Sequence, residues 1–186
     1  MEGFVEFPQL ETERLMLREM TIDDVEFYFR HFNNDKIVEG SCFLGPESLE
    51  AAEEELKRYC INLFKENKGV RWGMVKKGSK ELIGTCGYYD WNKTVHRAEI
   101  GYDLDPVYWG QGIMTEALGA TLEFGFEKME LNRIQAIIDS KNVRSIRLVQ
   151  RLGFKKEGIL RQNSYFNGQF IDDIVFSLLK KEWTRF

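Results

Sequence analysis

From Ala98 to Leu104 apolar and polar positions alternate, with Ala98, Ile100, Tyr102 and Leu104 set against Glu99, Gly101 and Asp103. This period of two predicts a strand. The period then changes: Ile113, Met114, Ala117, Leu118, Leu122 and Met129 recur at helical spacing and predict a helix. A short turn with Pro106, Gly110 and Gly112 joins the two.

The rest of the chain reads the same way. Arg14 to Met20 alternates as a first strand. Thr21-Ile22-Asp23-Asp24 is a capping-box-like start to a helix whose apolar face is Val25, Phe29 and Phe32, ending near Asn33-Asn34. After a loop through Gly40 to Gly45, Pro46-Glu47 opens a long helix. Its apolar residues from Leu49 to Phe64 repeat at three and four, and Gly69 stops it. Val70 to Lys76 and Leu82 to Tyr89 form strands joined by the hairpin turn Lys77-Gly78-Ser79-Lys80. With the strand after Asn92-Lys93-Thr94, three antiparallel strands lead into the central turn. Arg133 to Asp139 is a strand before a helix starting at Asn142, and Phe154 to Tyr165 pairs with Phe170 to Leu179 through Asn167-Gly168. The expected fold is a mixed α/β (α+β) domain spanning residues 1–186, with a largely antiparallel sheet and two helices in each half.

The central turn carries the first chemistry. At a helix N-terminus successive N–H groups lack partners inside the helix, and the peptide dipoles sum to partial positive charge. Such a turn takes phosphate or pyrophosphate, and glycine lets backbone approach the ligand. A triphosphate loop needs Gly-Lys-Ser/Thr, but Gly112 is followed by Ile113 and Met114. A G-x-G-x-x-G fingerprint meets Thr115 at its third glycine. A nucleotide- or dinucleotide-binding enzyme therefore rests on the glycine turn alone.

Composition narrows the partners. The 186 residues are 43% hydrophobic, with 14 Phe, 30% charged and a net charge of −4, so a nucleic-acid footprint is not expected and a cationic amine is compatible. Cys42, Cys60 and Cys86 form no C-x-x-C pair, and with only His31 and His96 a metal site has no ligand pattern. The start MEGFVEF lacks a basic region and a long apolar run, so no signal peptide is read. No window is long and apolar enough for a membrane span, and a cytoplasmic placement is expected.

Four stretches, in order, resemble one family. Trp109-Gly110-Gln111-Gly112-Ile113-Met114 is similar to the acyl-CoA signature Q/R-x-x-G-x-G/A, with Gly112 at the central glycine and departures at Trp109 and Met114. Asn142-Val143-Arg144-Ser145 through Leu152-Gly153-Phe154 resembles the N-x-x-S helix of the GNAT N-acetyltransferases. The opening Leu10-x-Thr12-x-Arg14-Leu15-x-Leu17-Arg18 and the closing Tyr165-Phe166-Asn167-Gly168-x-Phe170-x-Asp172 resemble its ribosomal-protein N-terminal acetyltransferase (RimJ/RimL-like) branch.

The resemblance implies a GNAT-like sheet with a splay between its two central strands, where acetyl-CoA lies. The pyrophosphate is expected on Trp109, Gly110, Gln111, Gly112, Ile113, Met114 and Thr115. Strand N–H groups near Tyr102 and Leu104 are expected to polarise the thioester carbonyl. Asn142 and Ser145 match coenzyme-contacting positions; the other reading of Asn142 is a plain helix cap, and the two are compatible. Many relatives carry a tyrosine general acid where this chain has Val149, and in the RimL-like branch the serine matching Ser145 takes that role. Glu99 matches a general base; otherwise it is a surface carboxylate paired with Arg97 or a lysine. Cys86 reads as a buried small hydrophobe rather than an acyl-enzyme nucleophile. Glu116 is expected to point away from the phosphate. Tyr88, Tyr89, Trp91 and Tyr165 are candidates for an acceptor groove, whereas His31 and His96 each read as isolated. The expected activity is acetyl transfer to a primary amine in a ternary complex, the amine belonging to a protein N-terminus (a ribosomal protein among them) or to a small molecule. A non-catalytic acyl-CoA-binding module is the alternative, and monomer and homodimer both stay open.

Overall fold

The computed structural model describes residues 6–41 and 43–184. Residues 1–5 and Cys42, on which part of the leader and cysteine readings rest, lie outside the described residues. One sheet holds β1 (Leu10–Glu11), β2 (Leu15–Arg18), β3 (Val70–Lys76), β4 (Leu82–Asn92), β5 (Arg97–Leu104), β6 (Arg133–Asp139), β7 (Lys155–Phe166) and β8 (Gln169–Leu179). Their spatial order is β1-β2-β3-β4-β5-β6-β8-β7. Every neighbouring pair is antiparallel except β5 and β6. A parallel pair needs a crossover, which the central helix α5 (Ile113–Glu127) supplies.

The alternation read from the sequence sorts the sheet into two faces. Ala98, Ile100 and Leu104 pack with Trp72, Cys86, Tyr88, Ile134 and Ala136 against α5 and α6 (Val143–Arg151) in the larger core. The other face is covered by α1 (Val25–Phe32) and α3 (Leu49–Leu56) in a second cluster built on Met20, Tyr28, Phe32, Ala52, Leu56, Val75 and Leu82. Polar side chains lie on that second face nearest the middle of the sheet.

Three boundaries differ from the sequence reading. The long helix begins at Leu49, where the Ser48 hydroxyl accepts from the Ala51 N–H at 3.2 Å, so serine and not Pro46 caps it. It continues through a π-turn at Lys57–Ile61 into α4 (Asn62–Lys65). A short helix, α2 (Asp35–Ser41), takes up Gly40 and Ser41 from the stretch read as a loop through Gly40 to Gly45; it buries Ile37 alone, which leaves no periodic signal. The capping box at Thr21 does form: the Asp24 carboxylate accepts the Thr21 N–H at 2.8 Å and pairs with Arg18.

β5 and β6 are paired only at Arg97↔Arg133, Ala98↔Ile134 and Glu99↔Gln135. Beyond Glu99 they part, β6 staying with β8 as far as Asp139↔Asp173. The splay implied by the resemblance is present, and a cleft of about 740 Å³ opens in it.

Candidate active site

The cleft is framed by the backbone of β5. The Asp105 N–H bonds to the Ile83 carbonyl at 2.8 Å, and antiparallel pairing alternates. Residues 99, 101 and 103 therefore turn their hydrogen bonds toward β4. Ile100, Tyr102 and Leu104 turn theirs the other way: the Ile100 N–H completes the last rung with β6 at Gln135, and those of Tyr102 and Leu104 face the side β6 vacates. This is where the resemblance put carbonyl-polarising N–H groups.

At the far end of β5 the chain makes a turn at Pro106–Tyr108, with the Asp105 carboxylate accepting the Val107 N–H at 3.0 Å. Gly110 and Gly112 then take φ of 77° and 74°, the left-handed region in which a side chain is strained. Gly112 is the N-cap of α5, and no side chain caps that helix. The N–H groups of Ile113, Met114 and Thr115 are left for a ligand. Glu116 is turned outward: its carboxylate takes the Thr12 hydroxyl at 2.5 Å, the Arg14 N–H at 2.8 Å and Arg14 Nε at 2.6 Å. Burial works to raise its pKa, but these donors hold it below the usual carboxylate value. Arg14 also donates to the Gln111 carbonyl at 3.0 Å and so ties the turn to the first strands. Trp109 donates its indole N–H to the Leu104 carbonyl at 2.7 Å, and the Arg144 guanidinium lies 3.4 Å above its ring.

From the α6 side the cleft is closed by two hydroxyls. Ser145 Oγ and Tyr102 Oη are 2.5 Å apart, and burial pushes the tyrosine up to about 12 even though the Ser145 bond acts to lower it. Val149 is fully buried in the core. Asn142 caps α6, its Oδ1 accepting the Ser145 N–H at 3.0 Å, and its Nδ2 donates to the Gly40 carbonyl of α2 at 2.7 Å.

At the base of the splay Glu99 is 8% exposed. It is not the surface carboxylate of the alternative reading: the Tyr89 hydroxyl donates to Oε1 at 2.5 Å and Gln135 Nε2 to Oε2 at 3.0 Å. Gly101 makes room for this, since a Cβ there would lie 2.9 Å from Tyr89 Cε1. Two residues on, Asp103 accepts His31 Nε2 at 2.7 Å, Arg71 Nη2 at 2.6 Å and the Thr85 hydroxyl at 2.6 Å. Burial alone would raise its carboxyl, but His31, Arg71 and Thr85 together bring it down to about 2. His31 is thus not isolated but fastens α1 to the sheet at Asp103.

Of the aromatic candidates only Tyr89 lines the cleft. Tyr88 lies in the core with its hydroxyl on the Thr121 carbonyl, and Tyr165 is exposed against Phe170 at the hairpin. Cys86 is fully buried and its thiol is pushed up to about 12 by burial, so it meets no thioester. No group of three or more His, Cys, Asp or Glu among the described residues is placed to hold a metal ion. No helix among them is long and apolar enough to cross a membrane.

Known proteins share the fold that opens this cleft. Residues 14–155 match the Acetyltransferase (GNAT) domain family. The Uncharacterized N-acetyltransferase YoaA of Bacillus subtilis (strain 168) is 39% identical over 174 residues, covering 94% of this chain and 98% of that protein. The ribosomal-protein-S5-alanine acetyltransferase of Vibrio fischeri superposes with a TM-score of 0.80 at 27% identity, over 95% of this chain and 99% of that one. A spermidine N-acetyltransferase of Vibrio cholerae, solved with CoA and spermine, shares the fold with a TM-score of 0.80 at 23% identity, over 90% and 96%. The chain belongs to the GNAT acetyltransferase family and is an N-acetyltransferase. GNAT acetyltransferases use acetyl-CoA.

Proposed function

We propose that the protein moves the acetyl group of acetyl-CoA to a primary amine, a protein N-terminal α-amine or a small-molecule amine, by direct attack with both partners held in the cleft. The reading stands on one observation: β5 leaves β6 after the Glu99↔Gln135 rung, which turns the Tyr102 and Leu104 N–H groups into the gap between a buried carboxylate and an uncapped helix start. Acetyl-CoA brings an activated acetyl thioester. Gly110, Gln111, Gly112, Ile113, Met114 and Thr115 would hold its pyrophosphate through backbone N–H groups, with Arg144, stacked on Trp109, beside them. The Tyr102 and Leu104 N–H groups would polarise the thioester carbonyl. Glu99 would take the proton of the attacking amine. Ser145, with the Tyr102 hydroxyl on it, would donate a hydrogen bond to the sulfur as it departs; a thiol of pKa about 8.5 needs little more. Asn142 would orient Ser145 and, once released from Gly40, the pantetheine arm. Holding the two reactants in line supplies much of the rate.

The test is thiol release from acetyl-CoA against a panel of peptides with free N-termini and of alkyl amines, with mass spectrometry of the acceptor. The reading expects thiol release matched by acetylated amine. CoA binding without transfer to any of the panel would favour a binding module.

A further inference from the structure

Glu99 is the middle member of a row that crosses three strands. Tyr89 of β4 stands opposite it in the antiparallel register, and Gln135 of β6 in the parallel one. Partners so placed share a face of the sheet about 5 Å apart, which brings the three side chains together. The row is also the last rung before β6 departs. Each carboxylate oxygen has one donor from these two strands: Oε1 takes the Tyr89 hydroxyl at 2.5 Å and Oε2 takes Gln135 Nε2 at 3.0 Å. Tyr89 and Glu99 both line the cleft, whereas Gln135 does not.

The kind of donor separates Glu99 from its neighbour on the same strand face. Asp103 accepts from His31 Nε2, Arg71 Nη2 and Thr85. Burial works to raise the Asp103 carboxyl, but these partners bring it down to about 2, too low to take a proton near neutral pH. The donors on Glu99 are a phenol and an amide, and among the described residues no cation forms an ion pair with it. Burial, with the charge of Glu99 adding to it, raises the Tyr89 hydroxyl above its ordinary value, so the phenol stays a donor. Neutral donors keep a nearly dry carboxylate ionised without cancelling its charge. That is the state in which a carboxylate can receive a proton.

The charged groups around this face are engaged elsewhere. Arg97, two residues before Glu99 on β5, pairs with Asp90 of β4. Arg71 of β3 and His31 of α1 are on Asp103, and Arg133 of β6 is on Glu157 of β7. Lys36 of α2, Asp139 of β6 and Asp173 of β8 line the same cleft.

We infer that Tyr89 is a positioning residue for the acetyl transfer: with Gln135 on the other side, it pins the Glu99 carboxylate at the fork of the sheet and keeps it ionised to receive the amine proton. The inference rests on the reading above, in which Glu99 is the base. Tyr89 acts through Glu99 and not on the reacting atoms.

The test titrates the Glu99 carboxyl by heteronuclear NMR of protein labelled at its glutamate side chains, the resonance being assigned by its loss in Glu99→Gln. Wild type, Tyr89→Phe and Gln135→Leu are compared. The pH profile of kcat is recorded for the same proteins on the peptide or alkyl amine of the panel that is acetylated. Loss of one donor is expected to raise the midpoint by about one pH unit in either variant, and the acid limb of kcat should move with it. Well above that limb kcat should differ by less than about threefold. A tyrosine that merely walls the acceptor groove would change KM and leave the midpoint in place. A midpoint unmoved in both variants, or an acid limb that stays put while Glu99→Gln abolishes turnover, overturns the proposal. A midpoint that moves, in an enzyme that Glu99→Gln leaves fully active, supports the hold on the carboxylate and sinks the base reading instead.

Discussion

The Tyr102 hydroxyl lies 2.5 Å from Ser145 Oγ, across the gap between β5 and α6. In the proposed reaction the pair would donate to the departing sulfur, in place of the tyrosine that many relatives carry where this chain has Val149. Burial keeps the Tyr102 proton in place, with the hydroxyl pushed up to about 12, so the pair stays protonated across the working range of an amine acceptor.

Removing either hydroxyl is expected to lower kcat and leave the acetyl-CoA Kd unchanged. Tyr102→Phe and Ser145→Ala should each cost about tenfold, the value of one hydrogen bond to developing charge. Because the two act as a unit, the double variant should cost little more than the worse single one. Additive losses in steady-state kinetics would show two independent roles.

Glu99→Gln keeps the shape of the side chain but removes the carboxylate proposed as the base. A loss of roughly 10²-fold in kcat/KM is expected for a lysine-like amine of pKa about 10.4. An α-amine of pKa about 7.7–8.0 is largely neutral at pH 8 and should lose less. Equal losses on both amines would remove the proton-taking role.

Asp103 gives a stability prediction with a definite sign. Its carboxyl sits at about 2 in the folded protein against 3.8 as the ordinary value. Its contribution is therefore fully present above about 3.8 and is lost as pH falls through 2. Asp103→Asn leaves Arg71 buried without its counter-charge and should cost about 3 kcal/mol at neutral pH. The urea midpoint at pH 7, 4 and 2 checks this: the gap between wild type and variant should be as wide at pH 4 as at pH 7 and should narrow at pH 2. A gap that stays constant down to pH 2 would contradict the ion-pair origin.

What the sequence discloses depends on how local the cause is. The switch from period two at Ala98–Leu104 to helical spacing at Ile113 is local, as is the Asn167-Gly168 turn, and both are read correctly. Gly110 and Gly112 announce a left-handed turn because few other residues take it. By contrast, α2 buries one apolar side chain and leaves no period to detect. The pairing of His31 with Asp103 spans 72 residues and that of Tyr102 with Ser145 spans 43. Such contacts follow from sheet register and helix docking, which no single stretch encodes. Glu99 shows the intermediate case. Alternation places it on one face, but its burial follows from Tyr89, Gln135 and the space at Gly101.

The Gly110–Thr115 turn is proposed to receive the phosphates of a CoA thioester. Calorimetric titration of acetyl-CoA, CoA, ATP and NAD into the wild type and Gly112→Glu tests it most directly. A thermal melt confirms that the variant is folded, since Gly112 sits at φ 74° and a side chain there carries about 1–2 kcal/mol of strain. Tight binding of the two CoA species alone, lost in the variant, is expected. Absence of CoA binding, or equal binding to the variant, would contradict it.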